Sequence, residues 1–349
     1  MTINIYYSLV FSIVVYAVAY ILVPLNIRFS KMVDLIDYPA PESIHKSATP
    51  LAGGLAISIP IITLLALGHF LLTGLQDYPS LAPLIIGSVG IVVAGYFDDK
   101  YRLSALWKLL FQLIIAIFMY QCGYKITLLT NPWNDAISLG YLSFPATIGW
   151  YLLLINSINL IDGIDGLATG IAVIISFVLM IVGYRYDNPF IFYLSLFLFA
   201  SSLAFLKYNF PPAKIFLGDT GSQFIGFYLA AISIAGTAQY KGITAMTLLI
   251  PIIVMFIPLA DTFLAIVRRL KYRQGIFTRD NHHLHHKMLK MGFSTKAINY
   301  TCYFITFLFG LIAIGFSFAD KSLLFTILIC LAVLLFFILY FVAKKGLMK

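Results

Sequence analysis

Charge is what this sequence has least of: Asp, Glu, Lys and Arg make up 11% of its 349 residues, against 61% hydrophobic. That excludes an ordinary soluble domain, in which about a quarter of the residues are charged. Cysteine is scarce too. Cys122, Cys302 and Cys330 all lie in or beside apolar runs, so they offer neither a disulfide framework nor metal-ligand spacing and read as packing residues. No Lys or Arg precedes Arg28. Residues 1–25 therefore lack the positive start of a cleaved signal peptide and read as a retained membrane span. Internal repeats, linkers and a separate soluble domain are absent.

Long apolar runs are abundant. They fall near residues 4–26, 51–74, 80–97, 105–122, 145–160, 168–184, 189–207, 222–237, 243–267, 297–318 and 321–343, which predicts an all-α polytopic membrane protein of about eleven transmembrane helices. With the N-terminus outside and the C-terminus cytoplasmic, 19 of the 23 Lys and Arg residues fall on the inner side, as the positive-inside rule requires. The net charge of +9 thus reflects membrane orientation, and nucleic acid is excluded as a partner. Ten of the fourteen acids and five of the six histidines share that inner side. Acids, bases and imidazoles mixed in short loops indicate a built site. On the outer side, 124–129 and 136–144 flank a Thr-Asn-Pro-Trp-Asn-Asp turn and predict a small β-hairpin.

The chain is organised around 156–166, Asn-Ser-Ile-Asn-Leu-Ile-Asp-Gly-Ile-Asp-Gly. Asn156, Asn159, Asp162 and Asp165 recur every third residue. On a continuous helix that row drifts by about 60° per step. Gly163 and Gly166 predict instead that the helix gives way to a turn after Asp162, letting the oxygens converge. Ionisable groups beside spans mark function by default; the bland alternative is a loop that caps the next helix.

Other polar clusters lie on the same side. Asp98-Asp99 closes the third span, where a helix C-terminus disfavours carboxylates. A divalent metal, a base or a proton-transfer role would relieve them, as would simple pairing with Lys100 and Arg102. Gly218-Asp219-Thr220-Gly221-Ser222 opens the eighth span, and its hydroxyls and helix N-terminus offer donors to phosphate. Asp219 suits Mg²⁺, which takes hard oxygen ligands completed by substrate phosphates, or else a plain N-cap. Arg268-Arg269 and the imidazoles of 282–286 suit diphosphate recognition, with attraction to anionic lipid as the simpler alternative. His282 and His286 have zinc-ligand spacing, but no Glu stands in the general-base place of a metalloprotease. His69, alone in an apolar helix, reads as a packed or interfacial residue.

Taken together, these motifs resemble the polyprenyl-phosphate N-acetylhexosamine-1-phosphate transferases, of glycosyltransferase family 4 type. The ordered set is His45…Pro50…Gly53-Gly54, Asp98-Asp99…Lys108…Gln112, Asn156…Asn159…Asp162-Gly-x-Asp165-Gly166, Gly218–Ser222, Asp261…Arg268-Arg269 and His283-Leu284-His285-His286. It covers about 45–291 of a single integral-membrane transferase domain, 1–349. Ser47-Ala48 departs from the family, which often has a proline before Thr49-Pro50. The His-Leu-His-His run resembles the GlcNAc-1-phosphate branch; the MurNAc-pentapeptide branch of peptidoglycan synthesis is the alternative. A secondary transporter is the rival from another class, but its polar residues would sit near the bilayer midplane.

The resemblance implies transfer of a sugar 1-phosphate from a UDP-N-acetylhexosamine to undecaprenyl or another polyprenyl phosphate, releasing UMP, at the cytoplasmic face of a bacterial inner membrane. Asp98 and Asp99 would be catalytic. Asp219 and Asn159 would hold Mg²⁺, for which Mn²⁺ can substitute. His45, Lys108, Asn156, Asp162, Asp165, Arg268, Arg269, His283, His285 and His286 would bind substrates. A homodimer is compatible with this reading.

Overall fold

A computed structural model describes residues 3, 5–39, 47–71, 80–130, 136–235 and 291–315, with isolated positions at 259, 263, 288, 289, 329, 331 and 333. Among them are nine α-helices: α1 (Ile5–Met32), α2 (Gly53–Leu71), α3 (Leu81–Tyr101), α4 (Ala105–Gln121), α5 (Ser143–Ile161), α6 (Leu167–Arg185), α7 (Pro189–Asn209), α8 (Gly218–Ala235) and α9 (Thr295–Gly315). Six segments, built on α1, α3, α5, α6, α7 and α9, are long and apolar enough to cross a membrane. This is a multi-pass membrane protein. The spans expected at 243–267 and 321–343 lie outside the described residues, apart from a few isolated positions.

The predicted break after Asp162 is present. Helix α5 ends at Ile161, the Asp162 N–H donates to the Asn159 carbonyl at 3.3 Å, and Gly166, at φ 77°, starts α6. The hairpin expected at 124–144 is also present but shorter than expected. Leu128–Thr130 pairs antiparallel with Ala136–Ser138, placing Leu129 opposite Ile137. Residues 140–142 form a 3₁₀ turn, and α5 begins at Ser143. A second ladder pairs Ile36–Asp37, just after α1, with Thr49–Pro50, just before α2.

Helix α8 is the central post. Every residue from Thr220 to Ile234 is buried, and α2, α3, α5 and α7 pack around it. It needs no amphipathic stripe, because a helix enclosed on all sides meets neither water nor lipid. Two glycines let its neighbours close in. A methyl group on Gly54 of α2 would lie 2.2 Å from the Gly221 nitrogen, and one on Gly95 of α3 would lie 2.6 Å from Thr220 Cα. Small residues at membrane helix crossings permit such backbone approach. Here it brings the end of α3 to the start of α8, and so positions the site.

Candidate active site

Four helix ends meet: the last turn of α3, the first of α4, the last two of α5 and the first of α8. Gly218 starts α8 at φ +73°, and a side chain there would lie 2.7 Å from both the Asp99 carboxylate and the Leu51 carbonyl. Asp99 caps α8 from another helix. One of its oxygens accepts from the Asp219 N–H at 2.7 Å; the other accepts from the Thr220 N–H at 3.0 Å and the Thr220 hydroxyl at 2.5 Å. A carboxylate at a helix N-terminus satisfies donors that lack intrahelical partners and meets the positive end of the dipole. The donors expected for a substrate phosphate are thus held by Asp99. Ser222, also expected to donate, accepts from Asn159 Nδ2 at 2.9 Å.

Lys108 sits between two acids. Its Nζ is 2.6 Å from Asp98 Oδ2 and 3.0 Å from Asp219 Oδ2. The Asp98 side chain is 1% exposed, whereas Lys108 and Asp219 are 29% and 25% exposed. Lys108 and Asp219 are therefore the exposed members of the trio, with Asp98 behind the lysine. Pairing of Asp98-Asp99 with Lys100 and Arg102 does not occur. Lys100 donates to the Val33 carbonyl, and Arg102 pairs with Asp37 at 3.5 Å.

Asn159 donates to Asp219 Oδ1. Asp162 sits at the end of α5, where burial and the nearby carboxylates of Asp219, Asp99 and Asp165 push its carboxyl well above the usual range. Asp165 serves the turn itself: Oδ2 accepts from the Ala213 N–H at 3.0 Å and its carbonyl from Asn299 Nδ2 at 2.7 Å. His45, Asp261, Arg268, Arg269, His283, His285 and His286 lie outside the described residues.

Among the described residues, Lys108 is the one cation ion-paired to Asp98 or Asp219. Asp99 and Asp162 add further acid nearby. This acid excess, built of oxygen donors, fits a hard divalent cation. No three acid or imidazole side chains among the described residues converge enough to hold an ion alone. A cation here would rely on Asp219 and on substrate phosphate, the usual habit of Mg²⁺. Asn159 presents its amide nitrogen to Asp219, so its oxygen becomes a ligand only if the amide turns over.

Several residues went unassigned from sequence. Gln112 stood in a motif without a role, and Gln223 in none. Each lies four residues beyond a charged member of the site, Lys108 and Asp219, hence on the same helix face; that spacing was the available signal. Asn209, Asn299 and Tyr303 clamp the 162–166 turn. Asn209 Oδ1 accepts from the Gly166 N–H at 3.1 Å, and the Tyr303 hydroxyl donates to the Gly166 carbonyl at 2.5 Å. Asn299 and Tyr303 lie on α9, beyond the expected motif-bearing core.

Residues 81–237 match the family described as glycosyl transferase family 4. A probable undecaprenyl-phosphate N-acetylglucosaminyl 1-phosphate transferase of Bacillus subtilis is 37% identical, over 84% of this chain and 80% of its own. A decaprenyl-phosphate N-acetylglucosaminephosphotransferase of Mycobacterium leprae is 31% identical, over 81% and 76%. A phospho-N-acetylmuramoyl-pentapeptide-transferase of Staphylococcus haemolyticus is 26% identical, over 86% and 98%.

Proposed function

The chain belongs to glycosyl transferase family 4, and from that premise we propose that it transfers N-acetylglucosamine 1-phosphate from UDP-N-acetylglucosamine to undecaprenyl or a similar polyprenyl phosphate, starting a lipid-linked glycan of the cell envelope. The observation that carries this reading in the structure is Lys108 held between Asp98 and Asp219 at the helix ends. Phosphoryl transfer needs positioning and charge neutralisation more than covalent chemistry. A lipid-phosphate oxygen forms a bond to the sugar-bearing phosphorus of the donor, the bond from that phosphorus to the bridging oxygen breaks, and UMP leaves.

Lys108 takes phosphate charge, and Asp98 fixes the lysine from behind. Asp99 holds the first turn of α8 so that Asp219 faces the opening. Asn159 orients Asp219, and the clamped turn carries Asp162 towards the donor's hydroxyls. Asp219, with Asn159 beside it, would hold a divalent cation, Mg²⁺ or Mn²⁺, which would supply charge neutralisation at the diphosphate. Asp98 and Asp99 thus support the reacting groups. The arginine pair and His283, His285 and His286 complete diphosphate recognition in this reading, and His45 joins them from the first inner loop.

The test is one exchange assay with two donors under identical conditions. UDP-N-acetylglucosamine is expected to be turned over and UDP-MurNAc-pentapeptide rejected; preference for the peptide-bearing donor would move the chain to the other branch and leave the family intact.

The reading also places the single domain in a bacterial cytoplasmic membrane, eleven spans with the N-terminus outside and the site on the cytoplasmic face. Cys122 is exposed at the outer end of α4 in that topology. With Cys302 and Cys330 replaced by serine, a membrane-impermeant maleimide should label it in intact cells. Protection until the membrane is opened would invert the topology.

A further inference from the structure

Behind Lys108 runs a row of amides that joins four helices. Asn156 Nδ2 on α5 donates to the Leu152 carbonyl at 2.7 Å and to Gln112 Oε1 on α4 at 2.8 Å. Gln112 Nε2 donates to Gln223 Oε1 on α8 at 3.3 Å, and Gln223 Nε2 to Asp98 Oδ2 on α3 at 3.3 Å. Both glutamines are 2% exposed. An amide carries its donor and acceptor at fixed ends. The polarity of the row is therefore set by its termini. The Asp98 carboxylate can only accept, so Gln223 must present nitrogen to it and oxygen to Gln112. The same constraint passes through Gln112 to Asn156, whose two amide hydrogens are then both committed, one to Gln112 and one to the Leu152 carbonyl.

We infer that Gln112 and Gln223 are positioning residues for the transfer reaction: they orient Asp98 towards Lys108 at one end and, at the other, fix Asn156 so that it offers only an acceptor oxygen. This rests on the functional reading above. Asp98 Oδ1 accepts from the Leu103 N–H at 3.1 Å, so Oδ2 is the oxygen shared by the lysine and Gln223. Loss of Gln223 takes a donor from that oxygen, and loss of Gln112 takes from Gln223 the partner that fixes which way its amide faces. Aligned hydrogen bonds in a low-dielectric interior also polarise one another, which links the two ends. At the far end, Asn156 can read only a hydroxyl or N–H on the donor substrate.

The experiment compares Gln112→Met, Gln223→Met and the double variant with wild type, at matched volume but without hydrogen bonding. Each single change should lower kcat by about tenfold: Gln223→Met loses one hydrogen bond to a charged group, and Gln112→Met leaves Gln223 unoriented towards that group. The double variant should fall by about the same tenfold, not a hundredfold, because either change breaks the same row. Gln112→Met should also raise KM for the UDP-sugar, by releasing Asn156, whereas Gln223→Met should leave KM near wild type. Where a methionine variant does not accumulate, Gln112→Leu or Gln223→Leu, also of similar volume and without hydrogen bonding, takes its place with the same expectation. Independent, multiplying effects, or kcat within twofold of wild type in folded singles, would overturn the inference. Wild-type protein that transfers nothing would instead overturn the functional reading itself.

Discussion

Asp219→Asn is expected to lower turnover at least about a thousandfold at any practical Mg²⁺ concentration. The substitution preserves size and removes one anionic oxygen ligand from a hard cation. In the structure it also removes the charge that Lys108 shares at 3.0 Å, leaving the lysine to Asp98 alone. The cap is untouched, since Asp99 bonds the backbone of residue 219. The variant should therefore fold and express like wild type. Wild-type activity should disappear in EDTA and return with Mg²⁺ or Mn²⁺. Activity that resists EDTA would take the metal out of the mechanism, and an Asp219→Asn enzyme retaining a tenth of wild-type turnover would sink the role of the carboxylate.

Lys108→Met should cost activity on a similar scale, and stability as well. Asp98 is 1% exposed and would lose the cation that pairs with its carboxylate. Breaking a fully buried ion pair costs roughly 3–5 kcal/mol, and less here because Lys108 is 29% exposed and screened by water. Thermal unfolding in detergent should thus occur several degrees lower. Lys108→Arg keeps charge but not the compact ammonium that fits between two carboxylates, so partial turnover with near-normal stability is expected. A methionine variant that transfers sugar phosphate within threefold of wild type would remove Lys108 from phosphate recognition.

Local features of this molecule were readable from its residues, and non-local ones were not. Apolar runs located the described helices to within a few residues, and the two glycines of 156–166 marked where α5 must end. The hairpin followed from its turn residues. Helix α8 is the exception. Its apolar run begins only at 222, yet the helix starts at Gly218, because Asp99 from α3 supplies the cap that lets it start there. Lys108 and Asp219 are 111 residues apart in the chain, and no periodicity reports such a meeting. The amide row is harder still, since each Gln or Asn alone is an ordinary polar residue.

The enclosure of α8 has a mechanical side. A bilayer thicker or thinner than a protein's apolar belt acts on the helices it touches, which tilt or draw in lipid to match. Residues 220–234 touch none of it, whereas α1 exposes Tyr6, Ile13 and Ile21 along its length. Hydrophobic mismatch is therefore absorbed at the periphery, and the carboxylates at the Gly218 end of α8 are held by a helix that the membrane strains only at second hand.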